Sequence, residues 1–249
     1  MSSNIKPNVE EHFDDYASTG RWQALLREKV DSNNFPYIIR FDWYKDIMNT
    51  LLPDSVLDVG CGSGDFVTIV PNSISRYKGM DISEQMLVAT KDIIDKLPQA
   101  EQEKYSLVQS SFETYEDSQD YDFILASGFL EYFVELKPII EKLYQLTSDN
   151  GHLAIQVPNR EFFRWKGIAL AKENDKGFSH HRISGSECDQ LMAEAGYTKV
   201  QGDYINHYYY PYKRIFPKLH IIFDKLLSPY TPVSFSRKRA SMYCGVYKK

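Results

Sequence analysis

Short apolar runs alternate along this chain with longer stretches that have helical spacing. Residues Ser55–Gly60 form a short apolar run that ends in glycine, as buried parallel strands often do. Similar runs predict strands at Ile74–Met80, Tyr105–Gln109, Tyr121–Ala126, His152–Val157, Thr198–Tyr204 and Ser241–Val246. Strands that alternate with helices of about ten to fifteen residues predict βαβ units. The pattern therefore predicts an α/β fold with a doubly wound, mostly parallel sheet.

Boundary residues mark the helices between these strands. Ser83 is a predicted N-cap for a helix over Ser83–Leu97, and Pro98 ends it. Ser184 and Glu187 form a capping-box pattern for a helix over Ser184–Ala195. Further helices are predicted at Asn8–Lys29, Tyr37–Leu51, from Asp65 onwards, at Glu135–Leu146 with Asn150-Gly151 as its C-terminal signal, and at Pro217–Leu227.

These elements divide the chain into three regions of one structural domain. We expect residues 1–52 to form an N-terminal helical lid and residues 53–204 to form the ligand-binding core. The core carries a predicted cap insertion at residues 158–183, whose aromatic residues have helical spacing. Residues 205–249 are predicted to complete the sheet as a basic, aromatic C-terminal segment.

Composition excludes several protein classes. With 249 residues, 43% hydrophobic and 25% charged, the chain is neither disordered nor fibrous. Polar residues interrupt its longest apolar stretch, Phe123–Val134, so no membrane span is predicted. The N-terminus has no apolar core behind a basic start, so no secretory signal is predicted. Its three cysteines lie far apart, and we expect reduced thiols in a cytoplasmic protein without a metal site.

Charge is distributed unevenly along the chain. The net charge is −5, but residues 205–249 contain nine Lys or Arg and a single acid, together with ten aromatic residues. A basic, aromatic segment on an acidic body indicates an anionic partner, either a small acceptor or a membrane surface touched peripherally. The alternative is an ordinary solvated face of the molecule.

A glycine-rich loop follows the first predicted strand. It contains Gly60, Gly62 and Gly64 behind Asp58, and it differs from the dinucleotide pattern GxGxxG because Asp65 occupies the place of the third glycine. An acid at that helix N-terminus would repel a phosphate, so we expect a cationic or zwitterionic ligand. Asp81 ends the second strand, where a carboxylate can accept hydrogen bonds from both hydroxyls of a ribose.

Four segments of the chain resemble, in their order and spacing, the motifs of a known family. VLDVGCGSG, KGMDISEQML, YDFILASGFLEYF and SDNGHLAIQVPN are similar to the successive motifs of class I S-adenosylmethionine-dependent methyltransferases, in particular small-molecule enzymes of the ubiquinone-biosynthesis type. The resemblance covers roughly Asp54–Gly196. It implies a Rossmann-like fold of seven strands with an antiparallel last strand at Ser241–Val246, and S-adenosyl-L-methionine as the cofactor.

The resemblance also implies a set of cofactor-binding residues. Asp58 and the loop glycines would hold the methionine and ribose parts, Asp81 the ribose, and Arg40 the cofactor carboxylate. The full set is Arg40, Asp58, Gly60, Cys61, Gly62, Gly64, Asp81, Ile82, Met86, Ser111, Phe112, Ser127 and Gly128. Ser111 departs from the family, which often has an acid at the adenine edge, and Cys61 is interpreted as a small packing residue within the loop.

Methyl transfer from a sulfonium is an in-line displacement, so orientation supplies most of the acceleration. A base is needed only where the acceptor must lose a proton, and His181 and His207 are the candidates for that role. Predicted substrate-binding residues are Tyr16, Trp22, Tyr132, Phe163, Trp165 and Tyr209. Two of them, Tyr16 and Trp22, are chosen because they resemble a lid of porphyrin methyltransferases. Structural packing is the alternative for each of these residues.

The sequence therefore predicts a methyltransferase that acts on an oxygen or nitrogen of a small-molecule or lipid-linked, anionic acceptor. One alternative is a nucleic-acid methyltransferase that uses the basic tail as a platform for a single strand. Residues 127–130 lack the N/D-P-P-Y/F motif of amino-methylating enzymes, and most of the chain is acidic, so nucleic acid is not the expected partner. A non-catalytic module that binds the same cofactor is the second alternative.

Overall fold

A seven-stranded sheet forms the centre of the molecule. The structure is a computed structural model, and it describes residues 4–5, 8–19, 34–163, 182–208, 217–227 and 230–249. The strands are β1 (Ser55–Val59), β2 (Arg76–Asp81), β3 (Tyr105–Gln109), β4 (Tyr121–Ser127), β5 (Thr147–Pro158), β6 (Thr198–His207) and β7 (Ala240–Lys248). Their order is β3-β2-β1-β4-β5-β7-β6, and β7 runs antiparallel to both of its neighbours. The predicted Rossmann-like α/β fold is confirmed.

Helices lie between and beside these strands. They are α1 (Val9–Ser18), α2 (Phe35–Leu51), α3 (Glu84–Ile94), α4 (Gln99–Gln102), α5 (Lys137–Leu146), α6 (Gly185–Glu194), α7 (Pro217–Leu227) and α8 (Val233–Arg239), with short 3₁₀ helices at Asp65–Ile69 and Leu130–Tyr132. The hydroxyl of Ser83 accepts a hydrogen bond from the Met86 N–H and caps α3. Ser184 and Glu187 form the predicted capping box of α6.

Several predicted boundaries were wrong. The pair Asn150-Gly151 does not end α5, because that helix stops at Leu146 and β5 begins at the next residue. Asn150 instead lies inside β5 in the left-handed region, with φ 67°, where the pairing with β4 changes register. Helix α8 was not predicted at all. The predicted helix Asn8–Lys29 is described only as α1, because residues 20–33 lie outside the described part of the chain.

Two apolar layers cover the faces of the sheet. All five residues of β1 are buried, and Leu57 packs into the layer that includes α5 and α6. Its neighbour Val56 packs into the opposite layer, with α2 and α3. A central strand buried on both faces is expected to be mainly apolar, and in β1 only Ser55 and Asp58 are polar. Among the described residues, no helix has the length and apolar character that crossing a membrane requires.

Candidate functional site

A cavity of about 640 Å³ lies at the carboxyl ends of the central strands. Its walls come from the loop after β1, from the ends of β2, β4 and β5, and from α1 and α2 above them. The far wall is formed by residues of β6 and β7. Ligands of open parallel sheets bind at this edge, where neighbouring crossovers diverge, so the fold itself marks the cavity as the candidate site.

The glycine loop and Asp81 form one hydrogen-bonded unit. Asp81 Oδ2 accepts a hydrogen bond from the Gly62 N–H at 2.8 Å, and its Oδ1 accepts one from the Ser83 N–H at 2.9 Å. Gly60 and Gly62 line the cavity with φ near +70° and +55°. Gly64 does not line it: a Cβ there would lie 2.8 Å from a methyl carbon of Thr90. Gly64 therefore lets the loop pack closely against α3.

Asp58 lies behind this loop and does not line the cavity. Its Oδ2 accepts a hydrogen bond from the Tyr77 hydroxyl at 2.8 Å, and its buried Oδ1 has no partner among the described residues. Burial raises the pKa of the Asp58 carboxyl to about 7, although the Tyr77 hydrogen bond lowers it, and the charge of Asp81 raises it further. Burial also raises the pKa of Asp81 itself. A cation bound at the loop would lower both pKa values, because a nearby positive charge favours the ionised carboxylates.

Most of the residues predicted to lie around the adenine line the cavity. Ile82 and Met86 line it, as does Phe112. Ser111 does not, and its hydroxyl faces Glu113 Oε2 at 3.5 Å. The neighbouring residue Ser110 lines the cavity in its place. Ser110 directly follows β3, and its N–H donates a hydrogen bond to the Asp81 carbonyl at 3.0 Å.

Polar groups converge on Gly128, at the end of β4. Arg40 Nη1 donates a hydrogen bond to Gln156 Oε1 at 3.1 Å, and both residues line the cavity with Ser127. A Cβ on Gly128, which has φ +64°, would lie 3.2 Å from Arg40 Nη1, 3.6 Å from Glu131 Oε1 and 3.9 Å from Gln156 Oε1. The positive φ is the main reason for glycine at this position, and only the contact with Arg40 would be tighter than ordinary van der Waals distance.

Glu131 and Gln156 are two of the polar cavity residues that are not among the predicted site residues. Both are buried and both line the cavity. The available signal was a polar residue at the carboxyl end of an apolar strand: Gln156 follows Leu153, Ala154 and Ile155 in β5. Cys61 is buried in the same loop, and burial raises the pKa of its thiol well above its ordinary value. That shift agrees with the packing role expected for it.

The wall opposite the cofactor residues is aromatic. Phe162 and Tyr208 line it, and Phe163 does not. Phe163 instead donates its backbone N–H to the Lys238 carbonyl at 3.0 Å, and its ring lies 4.8 Å below the Arg239 guanidinium. The predicted insertion and the C-terminal segment therefore meet at this wall.

Two other predicted substrate residues belong to the described part of the chain. Tyr132 lines the cavity and packs edge-on against Phe13 of α1, with ring centroids 5.3 Å apart. Tyr16 lies on the same helix without lining the cavity. The remaining predicted residues, Trp22, Trp165, Tyr209 and the candidate base His181, lie outside the described residues.

His207 occupies the protein core. Its side chain is fully buried, with Nδ1 at 2.7 Å from Asp224 Oδ1 and Nε2 at 2.9 Å from the Ser236 hydroxyl. Neither ring nitrogen lines the cavity. This placement argues against the predicted role of His207 as the base, because both nitrogens already bind partners that a substrate would have to displace.

Comparison with known proteins identifies the family of this chain. A family model described as a methyltransferase domain matches residues 33–202. The chain belongs to this methyltransferase family. It is 25% identical over 161 residues to a ubiquinone biosynthesis O-methyltransferase of Vibrio cholerae, a match that covers 64% of this chain and 63% of the relative. A ubiquinone biosynthesis O-methyltransferase of Hydrogenovibrio crunogenus is 23% identical over 211 residues, covering 80% and 83%.

A solved structure shares the fold over nearly the whole chain. The magnesium protoporphyrin IX methyltransferase of Synechocystis PCC 6803 with bound S-adenosylhomocysteine superposes with a TM-score of 0.68 at 13% identity, covering 97% of this chain and 98% of that one. The cofactor of this family, S-adenosylmethionine, fits the residues that line the cavity and lie behind its glycine loop. Close backbone approach at Gly60 and Gly62 and two buried carboxylates suit a cationic nucleoside, whereas a pyrophosphate would be repelled.

Proposed function

We propose that this protein is an S-adenosylmethionine-dependent methyltransferase that acts on an oxygen or nitrogen of a small molecule. The observation that carries the proposal is a continuous cavity that extends from Asp81 to the aromatic residues Phe162 and Tyr208, which follow β5 and β6. A cofactor at one end and an acceptor at the other would meet near Gly128, where β4 ends. The methyltransferase family supports the reaction class, and the ubiquinone-biosynthesis relatives support a small-molecule acceptor.

Each end of the cavity has its own task in this reaction. The bound cofactor supplies an activated methyl group. Asp81, fixed by the N–H groups of Gly62 and Ser83, would hold the ribose, and Arg40, oriented by Gln156, would hold the carboxylate. The aromatic wall would exclude water and orient the acceptor for in-line attack, which is where most of the acceleration arises.

The experiment that tests this proposal is release of S-adenosylhomocysteine from S-adenosylmethionine with a panel of phenols, hydroxy acids and amines. Asp81→Ala should weaken S-adenosylhomocysteine binding by about 1–3 kcal/mol, the usual cost of leaving buried hydrogen bonds unmade. Asp92→Ala, which changes an exposed acid on α3, is the matched control and should leave binding unchanged. A wild-type protein that binds neither nucleoside would refute the proposal.

Glu131 is our candidate for the base, should the acceptor be a hydroxyl. Its carboxylate is buried and lines the cavity next to Gly128, whereas His207 lies in the core. Glu131→Gln keeps the shape and removes the proton-accepting charge, so the rate should fall on the order of 10²–10⁴-fold with cofactor affinity retained. Glu135→Gln, at an exposed position four residues later, is the control. A decrease in rate of less than tenfold would contradict a role of Glu131 as the base and would indicate that catalysis depends on orientation alone.

The finer nature of the acceptor is also a proposal. Both α7 and α8 carry exposed apolar side chains, namely Leu219, Ile222, Phe223, Leu226, Leu227, Val233 and Phe235. The last turn of α8 adds Arg237, Lys238 and Arg239. Exposed apolar side chains on two neighbouring elements of the sequence, with basic residues in the last turn of α8, would suit an anionic membrane surface and thus a lipid-linked acceptor. The three free cysteines, all buried, support a cytoplasmic location for such contact.

Vesicle sedimentation tests this surface. The protein should bind phosphatidylglycerol vesicles more tightly than phosphatidylcholine vesicles, and changing Arg237 and Lys238 to Gln should remove the difference. Gln at Lys91 and Lys137, two exposed lysines of α3 and α5, is the matched control. Equal binding to both vesicle types contradicts the proposal. Salt-sensitive binding to a labelled oligonucleotide would instead favour the nucleic-acid alternative.

A further inference from the structure

Asn206 has an unusual backbone conformation beside the cavity. It is a non-glycine residue with φ +59°, it is buried, and it lines the wall opposite the cofactor residues. Such left-handed residues persist only where their surroundings hold them, and they concentrate at functional sites. Its side-chain Nδ2 donates a hydrogen bond to the Ser241 hydroxyl at 2.5 Å, and its Oδ1 has no partner among the described residues.

A buried network fixes this conformation from behind. Asp224 on α7 accepts the backbone N–H of Asn206 at 3.0 Å and that of His207 at 2.9 Å. The same carboxylate contacts the His207 ring, and Ser236 on α8 contacts the other ring nitrogen. Two helices are thus anchored to the end of β6, and the network explains why His207 is buried. Its effect on the cavity is to hold Asn206 in place against Ser241.

The distance to the methyl-transfer point excludes Asn206 from the chemistry itself. From β4, where Gly128 follows the strand, β6 is three strands away in the order β4-β5-β7-β6. Neighbouring strands lie about 4.8 Å apart, so the two positions are separated by about 14 Å. The residues of the cavity wall that follow β5 or belong to β7 include the apolar Phe162 and Met242.

We propose that Asn206 and Ser241 form a recognition site for a hydrogen-bond donor on the acceptor, a hydroxyl or amine about 14 Å from the atom that is methylated. The inference rests on the proposed function and names its substrate class: an elongated, mainly apolar molecule with a polar group at each end. The buried amide oxygen then accepts the distal O–H or N–H. A site built around such a bond rejects an analogue that lacks the donor far more strongly than an apolar pocket rejects one missing a methylene.

The test measures binding to protein saturated with S-adenosylhomocysteine. The probes are p-terphenyl-4,4″-diol, a rod of the required length with a hydroxyl at each end, and p-terphenyl-4-ol, which lacks one. We expect the wild type to prefer the diol by about tenfold or more. Asn206→Gly should bring that ratio close to one, because glycine adopts positive φ without strain and deletes only the side chain. Asn150→Gly changes an exposed asparagine with φ 67° at the opposite end of β5, and it should keep the preference.

The outcomes separate this inference from the proposed function. Equal binding of the two probes by the wild type, or binding of neither, overturns the recognition site while S-adenosylhomocysteine binding persists. A preference that survives Asn206→Gly overturns it as well. Loss of S-adenosylhomocysteine binding by the wild type would instead count against the methyltransferase proposal. Thermal unfolding of Asn206→Gly, compared with Asn150→Gly, verifies that both variants are folded.

Discussion

Cofactor affinity should rise with pH because of Asp58. Its carboxyl is buried behind the glycine loop with a pKa raised to about 7. Such a group is about one-tenth ionised at pH 6 and about three-quarters ionised at pH 7.5. S-adenosylmethionine brings positive charge to the loop, and a nearby cation favours the ionised form. If the complex holds Asp58 ionised, affinity should therefore increase about eightfold over this range.

Calorimetry in two buffers of different ionisation enthalpy measures both the affinity and the number of protons released on binding. At pH 6 the binding of S-adenosylmethionine should release close to one proton per site, and at pH 7.5 much less. S-adenosylhomocysteine lacks the sulfonium charge, so its affinity should change less with pH. Asp58→Asn should abolish the pH dependence, since an amide does not ionise. Constant affinity between pH 6 and 7.5, with no proton release, would refute this reasoning.

A second variant tests the hydrogen bond that the structure shows. Tyr77 donates its hydroxyl to Asp58 Oδ2 at 2.8 Å and thereby lowers the pKa of the carboxyl. Tyr77→Phe should shift the midpoint of the pH profile upward without changing any charge. Tyr197→Phe removes another buried tyrosine hydroxyl, one that contacts the Thr147 hydroxyl at 2.7 Å, and should leave the profile unchanged. A shift in the control variant would mean that stability, not Asp58, sets the profile.

Three further predictions concern stability. The raised pKa of Asp58 contributes stability below pH 4, and this contribution is lost as pH rises through 7. In urea denaturation, the free energy of unfolding of Asp58→Asn should therefore rise relative to that of the wild type by at most about 4 kcal/mol over that range. A constant difference between the two proteins would contradict this. Gly64→Ala should cost about 2–4 kcal/mol in the same assay, because the residue has φ +76° and its Cβ would overlap Thr90. Ser184→Ala should cost about 0.5–2 kcal/mol through the lost capping box of α6 while S-adenosylhomocysteine affinity stays constant.

Local sequence was sufficient to predict the sheet. Every predicted strand is present, and Tyr105–Gln109 matches its predicted bounds although it is an edge strand without a fully buried residue. The errors arose where tertiary contacts override local signals. Asn150-Gly151 has the composition of a helix terminus, yet β4 pairs with the residues around it and draws them into β5. Helix α8 carries no strong apolar periodicity, and Pro232 at its N-cap is its main local mark.

The cofactor half of the site was predicted more fully than the acceptor half. Gly60, Gly62, Asp81, Ile82 and Met86 follow one another closely in sequence and all line the cavity. Their spacing is fixed by one strand–turn–helix unit after another, so a linear pattern records it. The placement of Asp58 and Gly64 behind the lining shows the limit of such a pattern, since it does not separate residues that touch a ligand from those that shape the loop.

The acceptor half depends on contacts between distant parts of the chain, which no linear pattern encodes. The side chain of Asn159, at the end of β5, donates hydrogen bonds to the carbonyls of Arg237 at 2.7 Å and Ala240 at 2.8 Å. The Tyr208 N–H donates to the Arg239 carbonyl at 2.8 Å, so α8 is fixed against both strands. His207 lies among these contacts. It was a candidate base because it is a histidine next to the aromatic residues that were expected to contact the acceptor. Its partners Asp224 and Ser236 lie 17 and 29 residues further along, and they turn it into part of the scaffold behind Asn206. These contacts position α7 and α8, which lie between β6 and β7 in sequence. Substitutions in this segment should therefore alter the preference for the acceptor while cofactor affinity stays the same.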